Sequence, residues 1–185
     1  MEYHLTTPCT AEDLAPLKAG DTVLLSGVVY TARDQAHKRM LEALDKGEPL
    51  PFDLTGSAIY YVGPTPERPG EVIGSAGPTT SGRMDAMSPR LLDLGNKIMI
   101  GKGKRSEAVK AAVVRNGAVY LAALGGAGAL MAQSVQTLEV IAWPDLGCEA
   151  GRRLTGKNMP LTVILDAHGG DLYLSGPQAY LDAAK

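Results

Sequence analysis

The feature that most constrains the fold of this chain is a sequence pattern that recurs four times along it. An apolar run is followed by a polar or glycine-rich loop, and the loop is followed by a helical pattern. The loops cover residues 30–33, 77–85, 101–105 and 124–128. Strands that alternate with helices form α/β cores, and the carboxyl ends of their parallel strands meet at one edge of the sheet. The sequence therefore predicts an α/β fold with a mixed sheet and loops that converge at one edge.

The longest of these loops is Gly77-Pro78-Thr79-Thr80-Ser81-Gly82-Arg83-Met84-Asp85. The apolar run Val72–Ala76 predicts a strand before it, and one or two short helices are predicted after it, up to Gly95. Backbone N–H groups, three hydroxyls and a guanidinium at such a junction suit a small anion. Taken alone, the loop is equally well interpreted as an ordinary helix cap beside a surface arginine.

Cationic side chains follow three of the predicted strands. Arg33, Arg83 and Lys102 (or Lys104) share one edge of the sheet if their strands are neighbours. Two arginines and a lysine can bind a molecule with two carboxylates, one group at each end. Arg33 lies at the start of a helix for which Thr31 is the predicted N-cap. A positive charge is unfavourable there, and such exceptions tend to mark functional sites.

Two carboxylates follow these arginines closely in the sequence. Asp34 is placed to orient Arg33, and Asp85 is placed either to cap its helix or to orient Arg83. Neither pair has the pattern of a two-carboxylate catalytic site. We therefore interpret them as supporting residues.

Few side chains are candidates for acid–base or metal chemistry. His37 and His168 are the candidate acid–base residues, although each also has a packing or turn interpretation. Cys9 and Cys148 are far apart in sequence and are interpreted as free thiols. An iron–sulfur cluster or a zinc site held by this chain alone would need more soft ligands at closer spacing.

Length, charge and hydropathy exclude several classes of protein. The 185 residues are expected to form a single compact domain over residues 1–185. A net charge of −2 gives no bulk attraction to nucleic acid or to an acidic membrane. No run approaches the roughly 18 apolar residues of a membrane span, and the start, Met1-Glu2-Tyr3-His4, is unlike a signal peptide. We expect a cytoplasmic protein.

The C-terminal part departs from the repeated plan. Leu161–Leu165 predicts a strand, and a turn at residues 167–170 predicts a hairpin with Asp171–Leu174 as its returning strand. A terminal helix is predicted over Gln178–Ala184. The other predicted strands cover residues 2–6, 22–29, 58–62, 97–100, 118–123 and 137–143.

Three strings together carry a resemblance to a known family. They are Thr31-Ala32-Arg33-Asp34-Gln35-Ala36-His37-Lys38-Arg39, the loop at residues 77–85, and Lys102-Gly103-Lys104-Arg105-Ser106. They resemble the β-subunit, or C-terminal domain, of class I (iron–sulfur) fumarate hydratase. Leu124–Ala127, Leu138–Val140 and Leu146-Gly147 match in the same order, so the resemblance covers nearly the whole chain.

The resemblance implies a fold, an activity and a partner. The fold would be a swivelling β/β/α domain. The activity would be the reversible trans addition of water to fumarate, which gives (S)-malate. A partner α-subunit, in an α2β2 assembly, would hold a [4Fe-4S] cluster through three cysteines. The chain alone would then be inactive, with no metal ligand of its own.

The resemblance also implies roles for individual residues. Arg33, Arg83 and Lys102 would hold the substrate carboxylates, and Thr79 would transfer a proton together with an acidic residue of the partner chain. This chain has Lys104 where family members often have asparagine, so Lys104 stays an alternative to Lys102. The supporting residues would be Asp34, His37, Thr80 and Asp85.

Other functions remain open at this point. The β-subunit of an L-tartrate dehydratase would have the same fold and cluster chemistry. A stand-alone dicarboxylate-binding or regulatory module would have no partner. A structural α/β domain with a decayed site would retain the pattern without activity.

Overall fold

The structure, a computed structural model, describes residues 1–183. Its strands are β1 (Glu2–Thr7), β2 (Thr22–Thr31), β3 (Ala58–Tyr60), β4 (Ile98–Gly101), β5 (Val119–Ala122), β6 (Val135–Ala142) and β7 (Gly151–Leu165). Its α-helices are α1 (Ala11–Leu14), α2 (Asp34–Lys46), α3 (Ser88–Asp93), α4 (Glu107–Arg115), α5 (Gly128–Gln133) and α6 (Leu172–Ala183). Two 3-10 turns cover Ser81–Met84 and Pro144–Glu149. Within this part of the chain, no helix has the length and apolar character that a membrane span requires.

The seven strands form one mixed sheet in the order β1-β2-β3-β4-β5-β7-β6. Strands β1 to β5 pair in parallel, and β7 is antiparallel to both β5 and β6. The long strand β7 also pairs with β2, in a register that runs from Thr22–Thr162 to Thr31–Arg152. Because of this second pairing, β2, β3, β4, β5 and β7 close into a barrel-like ring.

Alternation along the strands divides the apolar residues into two cores. One core contains Ala58, Tyr60, Ile98, Ile100, Val119 and Leu121, together with residues of β2 and β7. The intervening residues Ile59, Met99 and Tyr120 pack instead with α2, α3 and α4. This is the two-residue period of a strand that is buried on both faces. The fold is therefore a closed β ring with helices packed on its outer face.

Local capping residues set several helix boundaries. The Thr10 side chain and Asp13 form a capping box at α1. The Ser106 hydroxyl accepts a hydrogen bond from Val109 N at the start of α4. Gly47 ends α2 with a left-handed φ of 70°, which glycine adopts without steric cost. These signals are local in the sequence and so were readable from it.

The predicted N-cap of α2 was wrong. Arg33 is the N-cap residue, and Thr31 is the last residue of β2. The Thr31 hydroxyl donates to Ala150 O at 3.3 Å and accepts from Arg152 N at 3.1 Å. The pairing of β2 with β7 extends the strand to this point, and it uses the hydroxyl that would otherwise cap a helix.

The strand predicted at Val72–Ala76 was also wrong. This segment is irregular, and only an isolated bridge between Val62 and Pro78 forms beside it. Val72 itself is 44% exposed. Strand β3 already pairs with β2 on one side and β4 on the other, so the sheet has no free edge here. The segment therefore leads to the next loop as irregular backbone.

The predicted C-terminal hairpin was wrong as well. Asp171 makes only an isolated bridge with Leu165, and α6 begins at Leu172. The Asp171 carboxylate accepts a hydrogen bond from Tyr173 N, which favours a helix start rather than a strand. The terminal helix predicted over Gln178–Ala184 is part of α6 as far as Ala183, and Ala184 lies outside the described residues.

Candidate active site

The carboxyl ends of β2, β3, β4 and β5 lie at one edge of the sheet, because these four neighbouring strands are parallel. The segments that leave this edge begin at Ala32, Tyr61, Lys102 and Ala123. They include the four loops that the sequence singled out. The predicted site residues are therefore on neighbouring segments of one surface, as the alternation of strands and helices indicated.

Arg33 is held at this edge by two carboxylates. Its Nη2 atom lies 3.4 Å from Glu149 Oε1 and 3.8 Å from Asp34 Oδ2. Its Nη1 atom also passes so close to Gly63 that a Cβ at that position would be 2.8 Å from it. The side chain is 19% exposed, so one guanidinium is both fixed and partly accessible.

Arg83 reaches the same carboxylate from the 3-10 turn at Ser81–Met84. Its Nε donates to Asp34 Oδ1 at 2.7 Å, and its side chain is 53% exposed. Asp34 was predicted to orient Arg33. It lies 3.8 Å from the Arg33 guanidinium but only 2.7 Å from Arg83 Nε, so its shorter contact is with Arg83. As the first residue of α2, Asp34 also has a favourable interaction with the helix dipole. A single carboxylate thus brings the two predicted arginines together.

Lys102 lies beside the threonine loop. Thr80 and Lys102 form a parallel β-bridge, and Ser81 N donates to Lys102 O at 2.9 Å. In return, Lys102 N donates to Ser81 Oγ at 3.0 Å. Both Lys102 and the alternative Lys104 are exposed, but the bridge places Lys102 next to Thr80. Lys102, rather than Lys104, is therefore the lysine that is bridged to the threonine loop.

The threonine loop is not an ordinary helix cap. Thr80 precedes the 3-10 turn, but its side chain makes no capping hydrogen bond. Thr79 is half-buried, and its N–H donates to Tyr61 O at 2.8 Å. Ser81 is buried and uses its hydroxyl on Lys102 N. The loop is held by backbone contacts on both sides, and the helix-cap interpretation fails here.

Asp85 does not orient Arg83. Its Oδ1 accepts from Arg105 Nε at 2.6 Å, and its Oδ2 accepts from Ser106 N at 2.6 Å. The alternative that Asp85 caps its own helix also fails, because Ser106 precedes α4. Arg105 is buried with a fully enclosed side chain, whereas Arg83 turns to Asp34. Asp85 therefore supports the Lys102 loop rather than an arginine of its own turn.

His37 is buried beneath Arg33. Its Nδ1 lies 2.9 Å from Arg33 O, and its ring meets Tyr61 edge-on at 5.3 Å. The pKa of His37 is lowered to about 4, mainly by burial and in smaller part by the nearby Arg105. At neutral pH the ring is neutral, and it supports the backbone of Arg33. His168 contacts Ala15 O near the edge where the parallel strands begin, away from this site.

Sequence reasoning missed two charged residues of the site. Glu149 contacts Arg33 and accepts from Gln35 N at 3.0 Å, across 114 positions of sequence. Arg105 was noticed only as the end of a basic string. Nothing in the sequence around Glu149 indicates a site residue, except that it closely follows Leu146-Gly147, one of the strings that resemble the family. For Arg105 no local pattern indicates burial.

The cysteines do not fit an iron–sulfur cluster. Cys9 is buried in the core inside the ring, where burial raises the pKa of its thiol to about 11. Cys148 is exposed on the segment beside Glu149. Among residues 1–183, no group of three or more His, Cys, Asp and Glu side chains is close enough to hold a metal ion.

The arrangement favours binding of a small molecule with two carboxylates. Arg33 and Arg83 present guanidinium groups on either side of Asp34, and Lys102 adds an ammonium from the adjoining loop. Guanidinium groups bind carboxylates through paired hydrogen bonds. The hydroxyl of Thr79 lies on the same loop as Arg83 and forms no hydrogen bond within residues 1–183.

Comparisons with known proteins identify the family of this chain. The Fumarase C-terminus family model matches residues 1–176. Fumarate hydratase 2 of Leishmania major is 38% identical over 189 residues, which cover 93% of this chain and 33% of that protein. The aerobic class I fumarate hydratase of Escherichia coli strain K12 is 38% identical over 151 residues, which cover 80% of this chain and 28% of that enzyme. The chain thus spans about a third of the length of these relatives.

A protein of similar length is found in Methanocaldococcus jannaschii. It is provisionally named an L(+)-tartrate dehydratase subunit beta, and it is 41% identical over 179 residues, 94% of this chain and 91% of that protein. The family model covers nearly all of the chain, and these relatives agree with it. The chain belongs to the fumarase C-terminus family.

Proposed function

We propose that this chain is the β-subunit of an iron–sulfur hydro-lyase that interconverts fumarate and (S)-malate. One observation carries the proposal: Asp34 contacts both Arg33 and Arg83 at the edge where Lys102 is bridged to Thr80. A dicarboxylate is the small molecule that such a set of cations suits best. The relatives named above are fumarate hydratases or a tartrate dehydratase subunit, which supports a hydro-lyase.

Binding is assigned to the three cations. Arg33, Arg83 and Lys102 would hold the carboxylates at the two ends of the substrate. Asp34 and Glu149 fix Arg33, and Asp34 also contacts Arg83, so the guanidinium groups are oriented before the substrate arrives. Prior orientation saves the entropy of ordering long side chains during binding.

The cations would also assist the chemistry. When a proton leaves the carbon next to a carboxylate, further negative charge develops on that carboxylate. Fixed positive groups stabilise such charge more in the transition state than in the ground state. Thr79 would move the proton, with an acidic residue of the partner chain. A threonine hydroxyl is a weak acid, and the positive potential of Arg83 and Lys102 has the sign that this role needs.

The rest of the site would belong to another chain. We propose a partner α-subunit that carries the [4Fe-4S] cluster, in an α2β2 assembly, so that this chain is inactive alone. The name of the M. jannaschii relative, a subunit beta, supports a partner. A swivelling β/β/α class, one domain over residues 1–185 and a cytoplasmic location are part of the same proposal.

A second candidate function is the dehydration of L-tartrate. It is favoured by the similarity in length and the 41% identity to the M. jannaschii relative. An L(+)-tartrate dehydratase subunit beta of Shigella boydii is also 33% identical over 98% of this chain and 92% of that protein. Tartrate has the same two carboxylates, so the same cations would hold it.

Co-expression with the α-subunit tests these proposals. The complex is reconstituted with iron and sulfide under anaerobic conditions, and turnover of fumarate, (S)-malate and L-tartrate is measured. We expect turnover of fumarate and malate by the complex and none by the chain alone. Turnover of tartrate without fumarate or malate would select the second candidate. Tight malate binding by the lone chain in calorimetry, with no activity in any complex, would select a stand-alone binding module.

A further inference from the structure

A buried guanidinium lies directly behind the site edge. The side chain of Arg105 is fully enclosed, and a guanidinium stays charged in proteins. Nε donates to Asp85 Oδ1 at 2.6 Å, Nη2 donates to Ser88 Oγ at 3.0 Å, and Nη1 lies 3.3 Å from Met99 Sδ. A buried charge is strongly destabilising unless it is paired in this way.

Two aromatic rings complete the enclosure. The Arg105 guanidinium carbon lies 5.4 Å from the ring centre of Tyr61 and 4.9 Å from that of Tyr120. Both rings belong to the core between the sheet and the helices, one directly after β3 and one on β5. Aromatic faces attract cations, and the attraction is stronger where water is excluded. Arg105 is thus held from both neighbouring strands.

The ion pair joins the two loops that carry the exposed cations. Asp85 follows Arg83 by two positions, and Arg105 follows Lys102 by three. The second oxygen of Asp85 accepts from Ser106 N, so the carboxylate is fixed to the same loop twice. The Arg105–Asp85 pair is therefore one of the contacts that fix Arg83 and Lys102 relative to each other, beside the bridge between Thr80 and Lys102.

A second connection runs parallel to the first. The Tyr120 hydroxyl lies 2.9 Å from Ser81 Oγ and 3.0 Å from Gly103 O. Ser81 in turn accepts from Lys102 N. Tyr120, whose ring also covers the Arg105 guanidinium, thereby links the threonine loop to the loop that carries Lys102.

We propose that Arg105, paired with Asp85, is a positioning residue that sets the distance between Arg83 and Lys102 and so selects the length of the dicarboxylate. The proposal rests on the proposed function. Buried ion pairs are weak sources of stability, since apolar replacements are often neutral or stabilising. A pair that joins the two cation-bearing loops is better explained by the geometry that it fixes.

The chain offers a matched control. Arg115 donates to both oxygens of Asp93 at 2.8 and 2.7 Å. This pair also connects α4 to α3, but it is about half exposed and lies away from the site edge. Arg115→Lys removes a two-fold contact between the same helices without touching the cation-bearing loops.

The test compares Arg105→Lys, Asp85→Asn and Arg115→Lys in the reconstituted complex. For the first two variants we expect kcat/KM for the preferred acid to fall about 100-fold, mainly through KM, because a misplacement of about 1 Å has an effect of that order. Inhibition by succinate, relative to malonate and glutarate, should become less selective. Arg115→Lys should leave KM and this selectivity unchanged.

A measurement on the chain alone separates this proposal from the proposed function. Amide hydrogen exchange at residues 79–85 and 102–106 should accelerate in Arg105→Lys and not in Arg115→Lys. If Arg105→Lys does not fold, Tyr120→Phe keeps the ring, removes the second connection and should accelerate exchange at the same residues. Faster exchange with no turnover of any acid by the wild-type complex would refute the proposed function alone. Unchanged exchange, or unchanged KM and selectivity in an active complex, would overturn the positioning role.

Discussion

At the scale of residues, the unpaired polar atoms are concentrated at the start of α2. Within residues 1–183, the buried side-chain atoms without a hydrogen-bond partner are Arg33 Nε, Asp34 Oδ2 and His37 Nε2. Buried polar groups are nearly always hydrogen-bonded, and exceptions need a cause. Here the exceptions are Arg33 and two of the predicted supporting residues, Asp34 and His37. Their clustering is consistent with a site that is prepared for a ligand.

Substitution of either site arginine should lower the activity of the complex. In the reconstituted complex, we expect Arg33→Ala and Arg83→Ala each to lower kcat/KM by roughly 10- to 100-fold, since a hydrogen bond to a charged group contributes about 1.5–3 kcal/mol. Arg90→Ala is the control, because Arg90 pairs with Asp45 on the surface. Steady-state rates on fumarate and malate provide the measurement, and unchanged rates in both variants would contradict a role for these arginines in substrate binding.

The buried histidine should make stability depend on pH. The pKa of His37 is about 4 in the folded chain and 6.5 ordinarily. The unfolded chain therefore binds a proton first as pH falls, and stability is lost between about pH 6.5 and 4. We expect His37→Gln to remove about 3 kcal/mol of this loss in the free energy of unfolding.

Urea unfolding at several pH values measures that difference. His4→Gln is the control, because His4 is on the exposed face of β1. Both substitutions leave every carboxylate in place, so the comparison isolates the histidine. Equal pH dependence in wild type and His37→Gln would contradict the assignment of a buried neutral ring.

At the scale of elements, the strand ends decide where the loops can lie. β4 ends at Gly101, and a Cβ there would lie 1.9 Å from Ser81 Oγ and 3.1 Å from the Tyr61 ring. Only the absence of a side chain lets the threonine loop pack against β4 and form its bridge to Lys102. The site geometry thus depends on a glycine that the sequence presented only as part of a basic loop.

Replacement of that glycine should disturb the loop. We expect Gly101→Ala to lower the free energy of unfolding by about 1–3 kcal/mol through overpacking. The double variant with Ser81→Ala should lose less than the sum of the two single variants, because the closest clash is with the serine oxygen. Gly125→Ala is the control, since its nearest contact would be an ordinary 3.9 Å. Strict additivity would argue against the close approach.

At the scale of the whole molecule, closure of the ring fixes the strand ends relative to one another. β7 pairs with β2 over most of its length and with β5 at its end, so the parallel strands cannot splay. Glu149 is on the turn that enters β7, which is how a residue from the C-terminal part contacts Arg33. The site is therefore assembled from segments that are far apart in the chain, from Arg33 to Glu149.

A cavity in the ring should weaken the whole fold. Leu154 of β7 is fully buried inside the ring, and we expect Leu154→Ala to lower the free energy of unfolding by about 2–5 kcal/mol. Leu174→Ala on α6, where the side chain is 63% exposed, should change it little. Urea unfolding provides the measurement, and similar losses in both variants would contradict the burial of Leu154 inside the ring.

The sequence by itself determined most strands and helices and their convergence at one edge, and it indicated Arg33, Arg83 and Lys102 (or Lys104) as the cations there. These follow from apolar periodicity, capping residues and strand–helix alternation, which act over short stretches. Only the tertiary structure decided that Asp34 joins Arg83, that Asp85 joins Arg105, and that β7 closes the ring. The two ion pairs span 49 and 20 positions of sequence. Such contacts depend on the register of the strands and on which side chains exclude water from a charged group. Both are set by residues far away in the sequence, so the local sequence does not indicate them.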